Sequence, residues 1–432
     1  MEKEKKLRIR WVYLATGVVT MLFSGVIYAW SILKAPLQEA FNWTTPQLAL
    51  NFTLTMCFFC LGGFISSLMA KRIGGRWVVC AGAILTATGF ILTSRLNGST
   101  VISLYVAYGL LAGFGIGCAY VTTISTVSAW FPDKKGLCSG CLMMGFGAST
   151  LLIGNLASAL INSIGWRTTF LLLGVIIGVV VLMAGFFLRL PGSETLLPRL
   201  KRSNNIVAED FAAKDYTTGQ MIRRFTFWRA FLCIVLLASV GNAVISFARD
   251  LVLSVGSSVG AATTMVGVLA VCNGLGRIAT GALFDAAGRK VTMLAANIVA
   301  ILAAAVTLLA AVADSVPLCI AGLCLVGFSY GVCPTLNASF IAAFYGNRYF
   351  ATNFSVMNFN LMGASMVATL ANGLLASSSG YTAPLSMLLT LAVAALVLNL
   401  SIKRPYTKGS DTLSRVTSFV CMEFGERKDG RL

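Results

Sequence analysis

The sequence contains no histidine. That absence removes Ser-His-Asp and Cys-His relays, imidazole proton shuttles and His-ligated metal sites. Charge is the second scarcity: Asp, Glu, Lys and Arg make up 11% of the 432 residues, against about 25% in an average soluble domain. Acidic groups are the rarest, 15 against 33 basic, which leaves a formal charge of +18. With 57% of its residues hydrophobic, the chain cannot cover a water-facing surface. Soluble enzymes and secreted disulfide scaffolds are therefore excluded. Nucleic-acid binders are excluded too, because they carry polar basic surfaces rather than long uncharged runs. No enzymatic activity, cofactor or metal is expected, no nucleic-acid partner either, and the lipid bilayer is the expected solvent.

Crossing about 30 Å of hydrocarbon takes about 20 mostly apolar residues. Windows of that kind fall at 11–33, 48–70, 77–95, 101–128, 138–161, 168–189, 227–248, 260–283, 291–313, 317–344, 352–376 and 381–402. The first is too long for a signal peptide, and no small-residue cleavage site follows it. Twelve crossings put both termini on one side, and Lys and Arg say which. The tails, the central stretch 189–229 and the alternate loops 71–76, 131–137, 285–290 and 345–351 hold 28 of the 33 basic residues. The opposite loops hold four: Lys34, Arg95, Arg167 and Arg249. The positive-inside rule then places both termini in the cytoplasm, which implies a multi-pass protein of the inner membrane. Cytoplasmic segments carry 28 basic and 12 acidic residues, so most of the +18 is topology. The one basic residue left over, Arg277, lies inside the eighth span.

The polar stretch 190–226 separates six spans from six. The expected organisation is an amino-terminal bundle at 1–189, a cytoplasmic loop at 190–226, a second bundle at 227–403 and a cytoplasmic tail at 404–432. Gly147-Ala148-Ser149 in the fifth span recurs as Gly363-Ala364-Ser365 in the eleventh, 216 residues later. Each copy follows an aromatic pair and a short basic loop, which fits an internal repeat.

The loop between spans eight and nine reads Gly281-Ala282-Leu283-Phe284-Asp285-Ala286-Ala287-Gly288-Arg289-Lys290. It resembles the signature loop of the major facilitator superfamily. The resemblance implies a latch between neighbouring cytoplasmic helix ends, made here by Asp285, Gly288, Arg289 and, from the first half, Arg76. The first-half loop keeps its glycines and arginines but has Lys71 where the family aspartate stands. Within that superfamily, several segments resemble the oxalate:formate antiporter family. They are Ser24-Gly25-Val26-Ile27-Tyr28-Ala29-Trp30, Gly115-Ile116-Gly117 with Tyr120, Trp130-Phe131-Pro132-Asp133-Lys134-Lys135-Gly136, Gly276-Arg277, and Ser329-Tyr330 before Pro334. The fold so implied is all-α: twelve transmembrane helices in two six-helix bundles around a central cavity.

Arg277 is the sharpest functional feature. A guanidinium in mid-helix costs several kcal/mol, faces the protein interior and grips carboxylates bidentately. No Asp or Glu lies near the middle of any span, so the partners left are a substrate anion or backbone carbonyls. The resemblance points to the substrate, because the family arginine at this place binds a carboxylate. It also implies that the family's second cation, a lysine on the eleventh helix, is replaced here by Leu361, with Asn358 and Asn360 nearby. One cation matches a monocarboxylate such as formate, lactate or pyruvate better than oxalate. Asn273 stands one turn before Arg277, on the same face. Animal-type monocarboxylate transporters resemble this stretch but carry an aspartate there and a first-helix lysine where Ile32 stands, both used in proton coupling. Without those groups, anion exchange is favoured over proton symport, although a proton carried on the substrate evades this reasoning.

Tyr28, Tyr120 and Tyr330 are mid-span aromatics that serve either as packing or as hydroxyl donors. The same two readings hold for Trp30, Asn242, Asn358 and Asn360 as cavity wall. Gly109-x3-Gly113-x3-Gly117 imitates a nucleotide loop, yet it sits in an apolar helix, where small residues let helices approach. The pairs Cys57-x2-Cys60 and Cys138-x2-Cys141 read as apolar filling rather than a metal site. The expectation is a monomeric carrier of a small carboxylate. A channel, a sensor and an exporter of larger lipophilic drugs are the rival classes.

Overall fold

The computed structural model describes residues 2–98, 100–191, 215–377 and 380–402. Most of the expected loop 190–226 and the whole tail 404–432 lie outside the described residues. Among the described residues, eleven helical segments are long and apolar enough to span a bilayer. They are α1 (Ile9–Phe41), α2 (Thr45–Ile73), α3 (Gly75–Ser94), α4 (Val101–Ser128), α5 (Lys135–Ile164), α6 (Trp166–Phe187) and α7 (Phe225–Ser254), then the run Val259–Val312, and α10 (Val316–Tyr345), α11 (Phe350–Leu375) and α12 (Thr382–Leu400). As one straight rod, the 54 residues of Val259–Val312 would reach about 81 Å, far beyond a bilayer. The rod is broken at Gly288, whose φ of 72° and ψ of −175° suit glycine alone. The two arms are α8 (259–287) and α9 (289–312), and the crossings number twelve, as the hydropathy windows predict.

Local signals set the helix ends. Thr44 and Gln47 form a reciprocal capping box ahead of α2, with the Thr44 N–H donating to Gln47 Oε1 at 2.9 Å. Ser258 accepts the Ala261 N–H at the start of α8. Helices α2 and α5 stop at Gly74 and Gly165, both with positive φ. Two spans are irregular at points that matter later. Helix α1 tightens into a 3-10 turn over Gly25–Ala29, where Gly25 presses on the Phe146 carbonyl. Helix α11 is interrupted between Met357 and Asn360.

Within each half, the tightest packing runs on glycine. In the first half Gly113 and Gly117 of α4 press on the carbonyls of Thr55 and Phe59 of α2, while Gly62 of α2 presses on the Phe114 carbonyl. In the second half Gly327 and Gly331 of α10 press on Leu269 and Asn273 of α8, and Gly276 on Phe328. Every one of these residues lies 214 positions after its counterpart. The repeat is therefore more exact in its backbone contacts than in the Gly-Ala-Ser match, and the α4 glycines are packing residues, as their apolar setting implies.

The two bundles meet on the side of the basic loops. Gly136 of α5 lies back to back with Gly281 of α8. The Asp285 carboxylate accepts the Gly136 and Leu137 N–H groups at 2.9 and 2.8 Å, so it caps the amino end of α5 in the other bundle, where the helix dipole favours negative charge. Ser67 and Ser355 hydroxyls share a hydrogen bond of 3.3 Å between α2 and α11. Lys71, standing where the family aspartate is expected, lies over the Tyr349 ring at 5.1 Å. Lys135 Nζ donates to Asn347 Oδ1 at 2.6 Å. Asp215, at the end of the central loop, accepts the N–H groups of Asn347 and Arg348 at 2.8 and 3.1 Å. Of the expected latch residues, Asp285 joins the bundles and Gly288 makes the turn. Arg289 instead lies on Phe344 at 5.2 Å, and Arg76 on Phe186 at 4.7 Å, each within its own half.

Two outcomes are expected. Gly117→Val drives a methyl group into the α2 backbone and lowers stability by about 1–3 kcal/mol, read as a lower melting midpoint of the purified protein; an unchanged midpoint refutes the packing. Asp285→Ala strips the α5 cap, worth about 1–2 kcal/mol. Spin-label pairs across the basic-loop side should then report roughly tenfold more molecules with that side parted. An unaltered distance distribution removes Asp285 from the latch.

Candidate functional site

Arg277 is 1% exposed and heads the largest fully buried side chains of the protein. Its backbone carbonyl accepts a hydrogen bond from Thr335 Oγ1 of α10 at 3.3 Å, which anchors that level of α8 inside the second bundle. The side chain crosses to the first bundle. Nε donates to Asn273 Oδ1 at 3.0 Å, one turn back on the same helix. Nη1 donates to the Met143 carbonyl of α5, and Nη2 has no partner. Space for the guanidinium comes from Gly147, where a Cβ would stand 2.8 Å from Cζ. One turn or two nearer the basic loops, Gly140 gives the Arg277 backbone similar room. Among the described residues no carboxylate forms an ion pair with this arginine; the ion pair seen is Arg10 with Asp133, at 2.8 Å.

An aromatic wall adjoins the guanidinium. The Tyr120 hydroxyl donates to Met143 Sδ at 3.0 Å, so one residue of α5 holds both the arginine and the tyrosine. The Tyr120 ring stacks on Phe354 of α11 at 6.1 Å and meets Phe146 edge-on at 4.8 Å. Tyr28 meets the same Phe146 at 5.4 Å, carried there by the 3-10 turn of α1. Tyr28 and Tyr330 lie within electrostatic range of each other across the seam, and Tyr120 and Tyr330 both lie within electrostatic range of Arg277. The sequence-derived set thus comes together for Arg277, Asn273, Tyr28, Tyr120 and Tyr330.

The remaining candidates sit differently. Trp30 packs inside the first bundle, its indole N–H donating to the Leu48 carbonyl at 3.2 Å and its ring 4.6 Å from Tyr108. Asn242 Nδ2 donates to Ser365 Oγ at 3.3 Å, between α7 and α11. Asn358 and Asn360 flank the break in α11 and bond to Asn337 of α10. Asn337, Met143 and Gly147 are the contributors that sequence reasoning passes over. Gly147 was visible as part of the repeated Gly-Ala-Ser. Asn337 was visible only as one amide in an apolar span, and a backbone carbonyl such as that of Met143 leaves no trace in a sequence.

Chemically, the site is a fixed positive charge with neutral partners and one unused N–H donor. Guanidinium keeps its proton in any such setting, so a group of opposite charge completes it best.

Comparison with known proteins agrees on the architecture. The family model described as Major Facilitator Superfamily matches residues 12–369. An oxalate:formate antiporter of Oxalobacter formigenes is 27% identical over 347 residues, covering 80% of each chain. The MFS-type transporter YhjX of Escherichia coli K12 is 26% identical over 351 residues, 81% of this chain and 84% of that one. Mouse monocarboxylate transporter 2 is 28% identical over 245 residues, 55% of this chain and 49% of its own. Among solved structures, FucP in its outward conformation superposes with a TM-score of 0.66 at 15% identity, over 91% of this chain and 99% of that one. The proton:xylose symporter XylE gives 0.68 at 12%, over 93% and 97%. From the glycine-packed helix pairs to the capped α5, the chain belongs to the major facilitator superfamily.

Proposed function

We propose that this transporter moves a small carboxylate through the cytoplasmic membrane by alternating access, with Arg277 as the anion anchor. The observation that carries the reading is the unpartnered Nη2 of a guanidinium that is 1% exposed. A buried charge held by neutral groups alone is expensive, and a bound carboxylate removes that cost. Relatives named for oxalate and formate exchange and for monocarboxylates support the same substrate class. Tyr28, Tyr120 and Tyr330 supply hydroxyls around the anion, and Asn273 orients the arginine. A single cation matches a monocarboxylate: Leu361, at the place of the family's second cation, is apolar and buried.

Exchange is the favoured mode. An unpaired arginine opposes reorientation of the empty carrier, because its charge would have to cross without a counter-ion. Asn273 and Ile32 stand where proton-coupled relatives hold ionisable groups, so no protein group takes up a proton with the substrate. By the distribution of Lys and Arg, the side closed by Asp285 and Lys135 is cytoplasmic, and both termini lie there. The halves 1–189 and 227–403 rock against each other about the α5–α8 seam, and one chain completes the pathway as a monomer.

Counterflow in proteoliposomes with a panel of mono- and dicarboxylates tests this. Wild-type protein should exchange formate, lactate or pyruvate, and Arg277→Gln should lower that exchange by about 100-fold, as expected for losing one partner of a buried charged contact. Undiminished exchange in Arg277→Gln overturns the site. Oxalate exchanged better than every monocarboxylate overturns the charge matching.

A further inference from the structure

Three asparagines meet at the break in α11. Asn360 Nδ2 donates to Asn337 Oδ1 at 2.7 Å, and Asn337 Nδ2 donates back to Asn360 Oδ1 at 3.2 Å and on to Asn358 Oδ1 at 3.4 Å. None is more than 2% exposed. The arrangement uses the Asn358 carbonyl oxygen but leaves its Nδ2 with no partner. Buried amides normally satisfy both ends, so a free donor here needs an explanation.

Position supplies one. The Asn358 N–H bonds to the Phe354 carbonyl at 3.0 Å, so Asn358 lies one turn beyond Phe354 on the same face of α11. That face looks toward the seam: Phe354 stacks on Tyr120, and the Asn358 main-chain carbonyl accepts the Cys60 thiol of α2 at 3.5 Å. Tyr120 in turn shares Met143 with Arg277. The residues that carry two buried, unused donors, the charged Arg277 Nη2 and the neutral Asn358 Nδ2, are thus linked through Tyr120, by way of Met143 on one side and Phe354 on the other.

We infer that Asn358 is the second donor of the substrate site, held in place by Asn337, and that the site selects monocarboxylates bearing one further neutral oxygen. The inference rests on the carboxylate reading of Arg277. Both free groups donate and neither accepts, so the matching ligand presents two acceptors: a carboxylate for the arginine and a hydroxyl or carbonyl oxygen for the amide. Hydroxy and oxo acids are the smallest ligands of that kind. A second carboxylate is disfavoured, because a neutral amide cannot offset its charge. The reciprocal pair with Asn360 fixes the Asn337 amide, and Asn337 Nδ2 then pins Asn358 Oδ1, which leaves Nδ2 as the end on offer. Asn337 is accordingly a positioning residue.

Lactate and propionate differ by one hydroxyl, and their exchange in proteoliposomes provides the test. Wild-type protein should show a KM for lactate about tenfold below that for propionate, the size of one buried hydrogen bond. Asn358→Leu should raise the lactate KM about tenfold, so that the preference between the two acids disappears, and an unchanged melting midpoint reports a folded protein. Asn337→Leu should lose the same preference with the maximal rate retained. Equal wild-type KM values for the two acids overturn the inference, and so does a lactate preference that survives in Asn358→Leu. Arg277→Gln separates the levels: if it exchanges both acids undiminished, the carboxylate reading itself fails. If it is inactive while Asn358→Leu keeps its preference, only the role of Asn358 falls.

Discussion

A guanidinium that cannot shed its proton sits on α8 where the two halves of the molecule press together, and much of the surrounding architecture serves to place it. Gly147 on α5 leaves the hollow it fills. The Met143 carbonyl and the Asn273 amide oxygen meet two of its nitrogens, and Tyr120 is held by the same methionine. Removing the opposing carboxylates from the membrane interior keeps that charge available. Its third nitrogen, Nη2, stays without a partner, and the anchoring role proposed for Arg277 rests on that unused donor.

The seam that carries the arginine is also the seam that closes. Along α5, Gly136, Gly140 and Gly147 successively meet Gly281, the Arg277 backbone and the Arg277 guanidinium. One helix pair therefore combines the close approach of the bundles with the buried arginine. The Asp285 cap lies at the basic-loop end of the same pair. Under the proposed function, substrate charge and gate closure would act on the same pair of helices. In the first half the equivalent latch is rebuilt from other groups: Lys71 rests on Tyr349, while a carboxylate of the central loop, Asp215, takes the free amides at the α10–α11 corner.

The internal repeat shows how a symmetric frame acquires an asymmetric site. Glycines 214 positions apart make the same contacts in both halves, so the α2–α4 and α8–α10 pairs are the same construction. On that register Phe59 and Gly63 of α2 correspond to Asn273 and Arg277 of α8. The first half keeps an apolar ring and a glycine at the level where the second half carries an amide and a charge. The two halves thus share a scaffold and differ at this pair of positions.

Hydropathy and charge alone determined the crossings and the singularity of Arg277, while the resemblance of the 281–290 loop to a family signature singled out Gly288. Those follow from transfer free energy and backbone sterics, which act residue by residue and can be read locally. The glycine repeat was also present in the sequence, though masked by its short three-residue neighbour at a spacing of 216. Tertiary structure decided the rest. That Trp30 spends its N–H on Leu48, that Arg289 and Arg76 settle on rings within their own halves, and that Asn337 takes the Asn358 Oδ1 and leaves its Nδ2 unused all depend on contacts between helices distant in sequence. Spacing along one helix fixes which face a side chain occupies. It does not fix what the neighbouring helix presents there, and in a membrane interior that neighbour decides whether a polar group is satisfied or free to bind.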